Sequence, residues 1–340
     1  MGTLKLRAAA LAATAMVLAG SVGVGGAFAA TPPPLPAHVF APYFETWTTD
    51  SITSTAQASG VKYFTLAFLE STSKNSCTLA WDGSASQPVS GGKYLDDIAS
   101  LRGLGGDVIP SLGGWSADQG GTEIGDSCKD VNAIEAAYEA LVTKYGITRI
   151  DMDIEGRSLT RTAGIDHRNK AIALLNARMP NVQVSYTLPT SRSGLAASGL
   201  AVLQNAITNG VRIDFVNPMV FDYYDRVVRP MGESAIDALT GLHGQLATLL
   251  PSKSSTQLWA IEGATIMNGL DDYPKKTEST SLTDAQALLT FANANGLSNL
   301  SMWAIQRDNG GCPGSTGANN CSGIVQNAWD FSHKLSPFTQ

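Results

Sequence analysis

The sequence predicts an α/β protein that consists of one (β/α)8 TIM barrel. Two observations predict it. Strand and helix patterns alternate eight times after residue 38, and one strand pattern, at residues 148–154, carries acidic side chains on one face only. A closed barrel of eight parallel strands is the simplest fold for such an alternation, and the carboxyl ends of its strands form the functional edge. The predicted strands are residues 39–44, 62–69, 107–112, 148–154, 182–188, 213–221, 257–261 and 299–305. The predicted helices are residues 51–58, 94–104, 131–145, 165–179, 199–208, 234–250, 283–295 and 324–333.

The acidic segment reads T-R-I-D-M-D-I-E-G from Thr148 to Gly156. Asp151, Asp153 and Glu155 occupy alternate positions, so the three carboxylates face one side of the strand and Glu155 lies at the mouth of the barrel. Because an unpaired buried carboxylate costs roughly several kcal/mol, these residues favour catalysis by an acid whose pKa is raised by its neighbours. A solvated edge strand is the alternative, but the opposite face is apolar. A metal site is disfavoured because the three residues span about 14 Å.

The first thirty residues have the pattern of a secretory signal peptide. Lys5 and Arg7 precede an apolar, alanine-rich stretch, and small residues at 27–29 fit a cleavage site. We expect a secreted, extracellular protein with a signal peptide at 1–30, a proline-rich lead at 31–38 and the catalytic barrel at 39–340. Without these two cations, 21 of the 23 basic residues remain against 29 acidic ones, a net charge of −8. This charge argues against nucleic acid as a partner, and the pattern argues against a membrane span.

The four cysteines fit an exported chain and allow three disulfide pairings. Cys77 with Cys128 and Cys312 with Cys321 is the favoured pairing, because the last two bracket a polar loop that cannot pack by itself. A zinc site has little support, since the sequence has no C-x-x-C spacing and its four histidines are scattered.

Aromatic and acidic residues recur at the ends of the predicted strands. They are Tyr43, Phe44, Glu45 and Trp47 at strand one, Trp115 at strand three, Tyr186 at strand five, Met219, Phe221, Asp222, Tyr223 and Tyr224 at strand six, Glu262 at strand seven and Trp303 at strand eight. Such a set suits a sugar, whose C–H faces stack on aromatic rings while acids bind its hydroxyls. Phe221 is expected in the core, because large aromatic side chains are mostly buried.

The motif D-M-D-I-E, together with S-L-G-G, Y-T-L-P, M-V-F-D-Y and S-M-W, resembles glycoside hydrolase family 18. Within that family the chain is most similar to the short secreted chitinases of actinobacteria. The resemblance implies hydrolysis of internal β-1,4 bonds in N-acetylglucosamine polymers, with no cofactor, by a retaining mechanism in which the substrate's acetamido group is the nucleophile.

The resemblance also implies roles for individual residues. Glu155 is the general acid and base, with its pKa raised by repulsion from Asp151 and Asp153; Asp153 orients the acetamido group, and Asp151 shares a proton with Asp153. The implied substrate-binding residues are Tyr186, Met219, Asp222, Tyr223 and Trp303. The resemblance places non-proline cis peptides at Ala67-Phe68 and Trp303-Ala304.

The chain departs from the family pattern in two places. Thr148 stands where the long motif has an aspartate, and Phe221 stands where many members have a tyrosine that binds the acetamido carbonyl; Tyr223 is the candidate to replace it. Residues 263–299 leave no room for the α+β insertion lobe of deep-cleft chitinases, which predicts a shallow, open groove and internal, non-processive cutting without a binding module. We also expect a monomer. An endo-β-N-acetylglucosaminidase acting on N-glycans and a non-catalytic chitin-binding barrel stay open as alternatives.

Overall fold

The structure, a computed structural model, describes residues 1–2, 34–273, 275 and 278–339. The chain divides into two compact units, Met1–Thr31 and Pro32–Gln340, and the second holds every described helix and strand. Most of the predicted signal peptide and the first residues of the predicted lead lie outside the described residues. Within the described part, every helix is either too short or too polar to cross a bilayer.

The strands and helices alternate along the second unit. The strands are β1 (Val39–Phe40), β2 (Tyr43–Glu45), β3 (Tyr63–Ser71), β4 (Leu79–Trp81), β5 (Asp107–Gly113), β6 (Arg149–Asp153), β7 (Gln183–Ser191), β8 (Gly194–Leu195), β9 (Phe215–Met219), β10 (Gly263–Met267), β11 (Gly269–Leu270), β12 (Ser279–Thr280) and β13 (Asn299–Trp303). The helices are α1 (Ile52–Ser59), α2 (Leu95–Gly103), α3 (Trp115–Gly120), α4 (Ile124–Ser127), α5 (Val131–Tyr145), α6 (Thr162–Arg178), α7 (Ala197–Thr208), α8 (Met231–Leu249), α9 (Ser255–Trp259), α10 (Leu282–Asn295) and α11 (Asp330–Leu335).

The parallel strands close into a barrel. Their order is β1-β13-β10-β9-β7-β6-β5-β3-β2, and β1 and β2 are two segments of the same barrel strand. β1 pairs with β13 and β2 pairs with β3, both in parallel, so this first strand joins the two ends of the sheet. The structure confirms the predicted (β/α)8 barrel. In the described part of the segment between β10 and α10, the regular structure is the short antiparallel pair β11–β12.

The two faces of β6 show how the sequence pattern builds this barrel. Ile150 and Met152 are fully buried in the apolar layer between the sheet and the helices. Asp151 and Asp153 alternate with them, and Asp151 contacts hydroxyl groups from β2, β5 and β7 in the barrel interior. The interior is therefore polar along the acidic strand, as the alternation predicted.

The prediction for strand seven is wrong. Residues 257–261 lie largely in helix α9, and the barrel strand is the next segment, β10. The helix begins there because Ser254 and Gln257 form a capping box, each side chain bonding the backbone of the other. Glu262 consequently precedes its strand and lies at the amino-terminal end of the barrel, 2.8 Å from His243 Nδ1. The last helix also begins later than predicted, at Asp330.

Both favoured disulfides are present. Cys77 is bonded to Cys128, and Cys312 is bonded to Cys321. The first joins the loop after β3 to the segment before α5, and the second closes the polar loop after β13.

Candidate active site

A cleft of about 810 Å³ opens at the carboxyl ends of the barrel strands. Its lining combines aromatic rings, carboxyl groups and small polar residues: Tyr43, Trp47, Phe68, Glu70, Asp82, Trp115, Ser116, Asp153, Glu155, Gly156, Pro189, Met219, Phe221, Asp222, Tyr224, Thr265, Asp272, Trp303 and Asn319. Five of the eight predicted site residues, namely Asp153, Glu155, Met219, Asp222 and Trp303, are among them. The described residues lining this cleft include no lysine, arginine or histidine.

Asp151 lies beneath the cleft, and both of its carboxyl oxygens accept hydrogen bonds. The Tyr43 hydroxyl, 3.0 Å away, and the Ser111 hydroxyl, 2.7 Å away, donate to Oδ2, while Ser185 and Thr187 donate to Oδ1. Burial raises the pKa of Asp151, and these four hydroxyls oppose the increase. Asp151 is thus a positioned carboxylate whose oxygens are fully engaged. The charge of Asp151 raises the pKa of Asp153, and the proton shared between the two stays a prediction.

Asp153 differs from Asp151 in having few partners. It is 3 % exposed, and its Oδ1 has no hydrogen-bond partner among the described residues. Burial raises its pKa well above the usual range, and the charges of Glu155, Asp151 and Asp118 add to the increase. Asp153 is therefore an interior acid with a raised pKa, and its free oxygen is available to a group in the cleft.

Glu155 lies one step further toward solvent. Burial is the main cause that raises its pKa to about 7; repulsion from Asp222 is next, and a hydrogen bond from the Trp115 backbone opposes both. Glu155 and Asp153 also repel each other, and Asp272 adds to the repulsion on Glu155. A carboxyl group with a pKa near 7 can donate and recover a proton at neutral pH.

The sequence analysis missed Asp118, which positions the backbone of Glu155. Asp118 lies on α3, is fully buried, and accepts a hydrogen bond at Oδ2 from the Glu155 N–H. Helix α3 reaches this place because Gly113 and Gly114 have positive φ; a Cβ at Gly113 would lie 2.1 Å from the Asp153 carbonyl oxygen. No sequence pattern links Asp118 to Glu155, since only the packing of α3 brings them together.

Asp222 belongs to a second group of acids at the rim. Burial raises its pKa to about 7, and repulsion from Asp272 and Glu278 adds to the increase. Its Oδ1 accepts the Asp272 N–H at 3.2 Å, and the Tyr224 hydroxyl is hydrogen-bonded to its carboxyl group. Asp222 therefore faces Glu155 across the cleft as a partly protonated group.

Aromatic rings line the side of the cleft near the first and last barrel strands. Trp303 stacks on Phe68 with ring centroids 5.6 Å apart, and Tyr43 lies 5.6 Å from the same indole. Trp47 extends this surface outward and is 45 % exposed. The peptide bonds Ala67-Phe68 and Trp303-Ala304 are both cis, as the resemblance implied.

The structure does not bring Tyr186 and Tyr223 to the cleft. Tyr186 is fully buried behind β7, where its hydroxyl donates to Asn169 at 2.9 Å, because its neighbours Ser185 and Thr187 face the interior. Tyr223 packs under the Arg192 guanidinium, 4.5 Å from its ring centroid. These two assignments as substrate contacts are corrected.

Tyr224 and Phe221 line the cleft instead. The backbone has positive φ at Asp222 and again at Tyr224, so the regular alternation of a strand does not continue through these residues. Phe221 is only partly buried, so the expectation that it belongs to the core is also wrong. Its ring brings no hydroxyl to this wall.

The described residues contain no cluster of three or more histidine, cysteine, aspartate or glutamate side chains arranged to hold a metal ion. A barrel with a partly buried acid of pKa about 7 at its mouth, a second buried acid with a raised pKa behind it and stacked aromatic rings beside both defines the class of glycoside hydrolases. The chain belongs to glycosyl hydrolases family 18, whose family model matches residues 39–291.

Relatives of this chain are chitinases by name. It is 31% identical over 323 residues to a probable bifunctional chitinase/lysozyme of Escherichia coli (strain K12), covering 90% of this chain and 35% of that protein. It is 31% identical over 287 residues to endochitinase 11 of Metarhizium anisopliae, covering 80% of this chain and 53% of that one. The chain therefore spans between about a third and about half of the length of these curated relatives.

The solved structures include one similar domain at nearly full length. Active domain 2 of a chitinase from Pyrococcus furiosus superposes with a TM-score of 0.79 at 30% identity, covering 91% of this chain and 97% of that domain; a complex of it with chito-oligosaccharides gives a TM-score of 0.78. Human YKL-39, described as a pseudo-chitinase with retained chitooligosaccharide binding, shares the fold alone, with a TM-score of 0.58 at 10% identity.

Proposed function

We propose that this protein is a secreted endo-chitinase that cleaves internal β-1,4 bonds between N-acetylglucosamine units by a substrate-assisted, retaining mechanism. The observation that carries the proposal is Glu155, a partly buried acid with a pKa of about 7 in a cleft lined by stacked aromatic rings. Such an acid holds its proton at the pH of most extracellular media and can still release it during the reaction.

The proposed reaction uses the two acids in sequence. Glu155 donates its proton to the glycosidic oxygen, the bond from that oxygen to the anomeric carbon breaks, and the acetamido carbonyl oxygen of the substrate bonds to the same carbon. The resulting oxazolinium ion carries a positive charge. Asp153, with its unpartnered Oδ1, accepts the acetamido N–H and stabilises that charge. Glu155 then removes a proton from the water that opens the ring, which restores the acid and retains the anomeric configuration.

The remaining cleft residues hold the sugar in this proposal. Trp303 supplies the flat surface beneath the reacting unit, Met219 lines the floor, and Asp222 binds hydroxyl groups. Because Phe221 offers no hydroxyl, the acetamido carbonyl lacks the tyrosine contact that many family members supply. We accordingly expect slower formation of the oxazolinium ion than in relatives that have that tyrosine.

Export, a monomeric state and likeness to short actinobacterial chitinases belong to the same proposal. The apolar segment after Lys5 and Arg7 supports export, and the two disulfides suit an oxidising compartment. Secretion from a host that expresses the full chain, followed by size-exclusion chromatography of the exported protein, tests the first two points.

Product analysis tests the activity. We expect N-acetylglucosamine oligomers to be cut internally, with β-anomers as the first products by NMR, and a glycopeptide carrying an N-glycan core to stay intact. Fully deacetylated oligomers should not be cut, because they lack the nucleophile. Release of the glycan would instead support the endo-β-N-acetylglucosaminidase alternative. Binding of oligomers without any cleavage would support the non-catalytic barrel.

A further inference from the structure

The order of the strands around the barrel shows which way the cleft runs. In the closed sheet, β6 lies opposite β13, and β3 lies opposite β9. Glu155 follows β6 and Trp303 ends β13, so these residues lie on opposite sides of the middle of the cleft. Phe68 on β3 and Tyr224 beyond β9 line its two ends. A sugar chain whose reacting unit lies between Glu155 and Trp303 therefore extends toward the ends of β3 and β9.

The two ends of the cleft carry different aromatic surfaces. At the β3 end, Phe68 stacks on both Trp303 and Trp47. At the β9 end, the ring of Tyr224 is 54 % exposed, while that of Phe221 is partly buried. An exposed aromatic ring offers a flat apolar face that the C–H face of a sugar can cover. The β9 end therefore has its own surface for a sugar unit, separate from the stacked rings at the β3 end.

The backbone holds Tyr224 in an uncommon conformation. Its φ is 55°, in the left-handed region that bulky side chains rarely adopt, and Asp222, two residues earlier, has a φ of 51°. Such conformations persist where the surrounding structure determines them, and they are concentrated at functional sites. The position of the Tyr224 ring is thus imposed by its surroundings and is not that of a relaxed loop.

Glu278 and Tyr273 determine this position. Glu278 is fully buried; its Oε2 accepts the Tyr223 N–H at 2.7 Å, and its Oε1 accepts the Tyr224 N–H at 2.9 Å. The Tyr224 ring packs edge-on against the buried Tyr273 ring, with centroids 5.2 Å apart. Backbone and ring are therefore both held in place by the protein itself. A ring that is fixed beforehand loses little conformational entropy when a ligand stacks on it.

The polar groups beside the ring also suit a sugar. Asp222 and Asp272 line the same end of the cleft as Tyr224. A carboxyl group accepts hydrogen bonds when it is ionised and donates one when it is protonated, and a sugar hydroxyl can be the partner in both cases. An aromatic face next to two carboxyl groups matches a neutral sugar unit with several hydroxyls.

We propose that Tyr224 binds a sugar unit beyond the reacting one, at the β9 end of the cleft, and thereby makes the enzyme select long chains over short ones. This inference rests on the proposed function, because it takes N-acetylglucosamine chains as the substrate. A unit stacked on Tyr224 adds affinity only to a ligand that is long enough to reach from Trp303 to this ring. Tyr224 is therefore a residue that determines specificity for chain length.

Calorimetric titration tests this role without any hydrolysis. All variants are made in the Glu155→Gln background, and the ligands are an N-acetylglucosamine hexamer and the thiazoline of a single N-acetylglucosamine unit, a stable mimic of the oxazolinium ion. We expect Tyr224→Ala to weaken binding of the hexamer about tenfold, because one aromatic contact is lost. Binding of the thiazoline, which occupies only the position of the reacting unit, should change by about twofold or less.

Two further variants keep the result interpretable. Tyr224→Phe retains the ring, and its affinity for the hexamer should stay within about threefold of the parent protein. Leu104→Ala removes an exposed apolar side chain that precedes β5 at the other end of the barrel, and it should leave both affinities unchanged. Equal losses for the two ligands in Tyr224→Ala, no loss for either, or a loss in Tyr224→Phe as large as in Tyr224→Ala would overturn the inference.

Hydrolysis by the protein with Glu155 intact separates this inference from the proposed function. A wild-type protein that cuts no N-acetylglucosamine oligomer contradicts the proposed function, while the titrations still decide on Tyr224. A wild-type protein that cuts the hexamer, together with a Tyr224→Ala protein that binds it equally well, contradicts the inference alone. If the hexamer does not bind the Glu155→Gln protein at all, both are wrong.

Discussion

Two glutamates lie at opposite ends of the same barrel: Glu155, which is partly buried, and Glu262, which is fully buried. Burial raises the pKa of both, to about 7 for Glu155 and about 9 for Glu262. Glu155 faces the cleft, with Asp153 and Asp222 nearby and its backbone held by Asp118. Glu262 faces His243, which also bonds the Ser255 hydroxyl at 2.9 Å, at the amino-terminal end. A raised pKa alone therefore does not identify a catalytic acid in this fold. The acid must also face the cleft at the carboxyl ends of the strands.

Replacement of the two glutamates by glutamine should give the largest contrast. Glu155→Gln keeps the shape of the side chain but cannot deliver a proton, so we expect the hydrolysis rate of N-acetylglucosamine oligomers to fall about 10²- to 10⁴-fold. Glu262→Gln should keep nearly all of that activity. Rates at saturating substrate check both, and a Glu155→Gln protein within threefold of the wild type would refute the assignment.

A smaller effect is expected from Asp118, which acts through the backbone of Glu155. Asp118→Ala leaves the Glu155 N–H without its acceptor, and we expect kcat to fall about three- to tenfold with little change in KM. Asp118→Asn should recover most of the rate, because its amide oxygen can accept the same hydrogen bond. If both variants lose equal activity in proportion to a lower melting temperature, Asp118 only stabilises the fold.

Glu262 should affect stability where Glu155 affects rate. An acid whose pKa is raised from 4.5 to about 9 binds its proton more tightly in the folded state, so the free energy of unfolding decreases as pH rises between those values. Glu262→Gln removes this dependence. Relative to the wild type, the variant should gain about 2–3 kcal/mol between pH 6 and pH 8, measured by urea unfolding. A constant difference across that range would show that Glu262 stays ionised beside His243.

Much of the fold was predictable because local patterns determine it. Helix α5 matches its predicted bounds, with Asp130 as the N-cap and Gly146 as the C-cap. The prediction of strand seven failed because a run of four apolar residues, 258–261, fits a strand and a short helix equally well. The capping box at Ser254 was the available signal, and it would also have placed Glu262 at the amino-terminal end of the barrel.

Only the part of the site on β6 was predictable from local sequence. The period of two along this strand was enough to identify Asp151, Asp153 and Glu155 as residues that share one face. Applied to β7, the same rule would have turned Tyr186 away from the interior, since Ser185 and Thr187 contact Asp151. The side chains beyond β9 depend on the left-handed backbone at Asp222 and Tyr224, and the place of Asp118 depends on the packing of α3, which no short pattern contains.

The pH dependence of kcat/KM in the wild-type protein is the most direct test of the central claim, that burial keeps Glu155 protonated near neutral pH so that it can act as the acid. With a soluble N-acetylglucosamine oligomer as substrate, kcat/KM should fall as pH rises through about 7, because Glu155 then loses the proton that the reaction needs. Glu262→Gln should give the same curve. A rate that stays constant up to pH 9 would contradict the account.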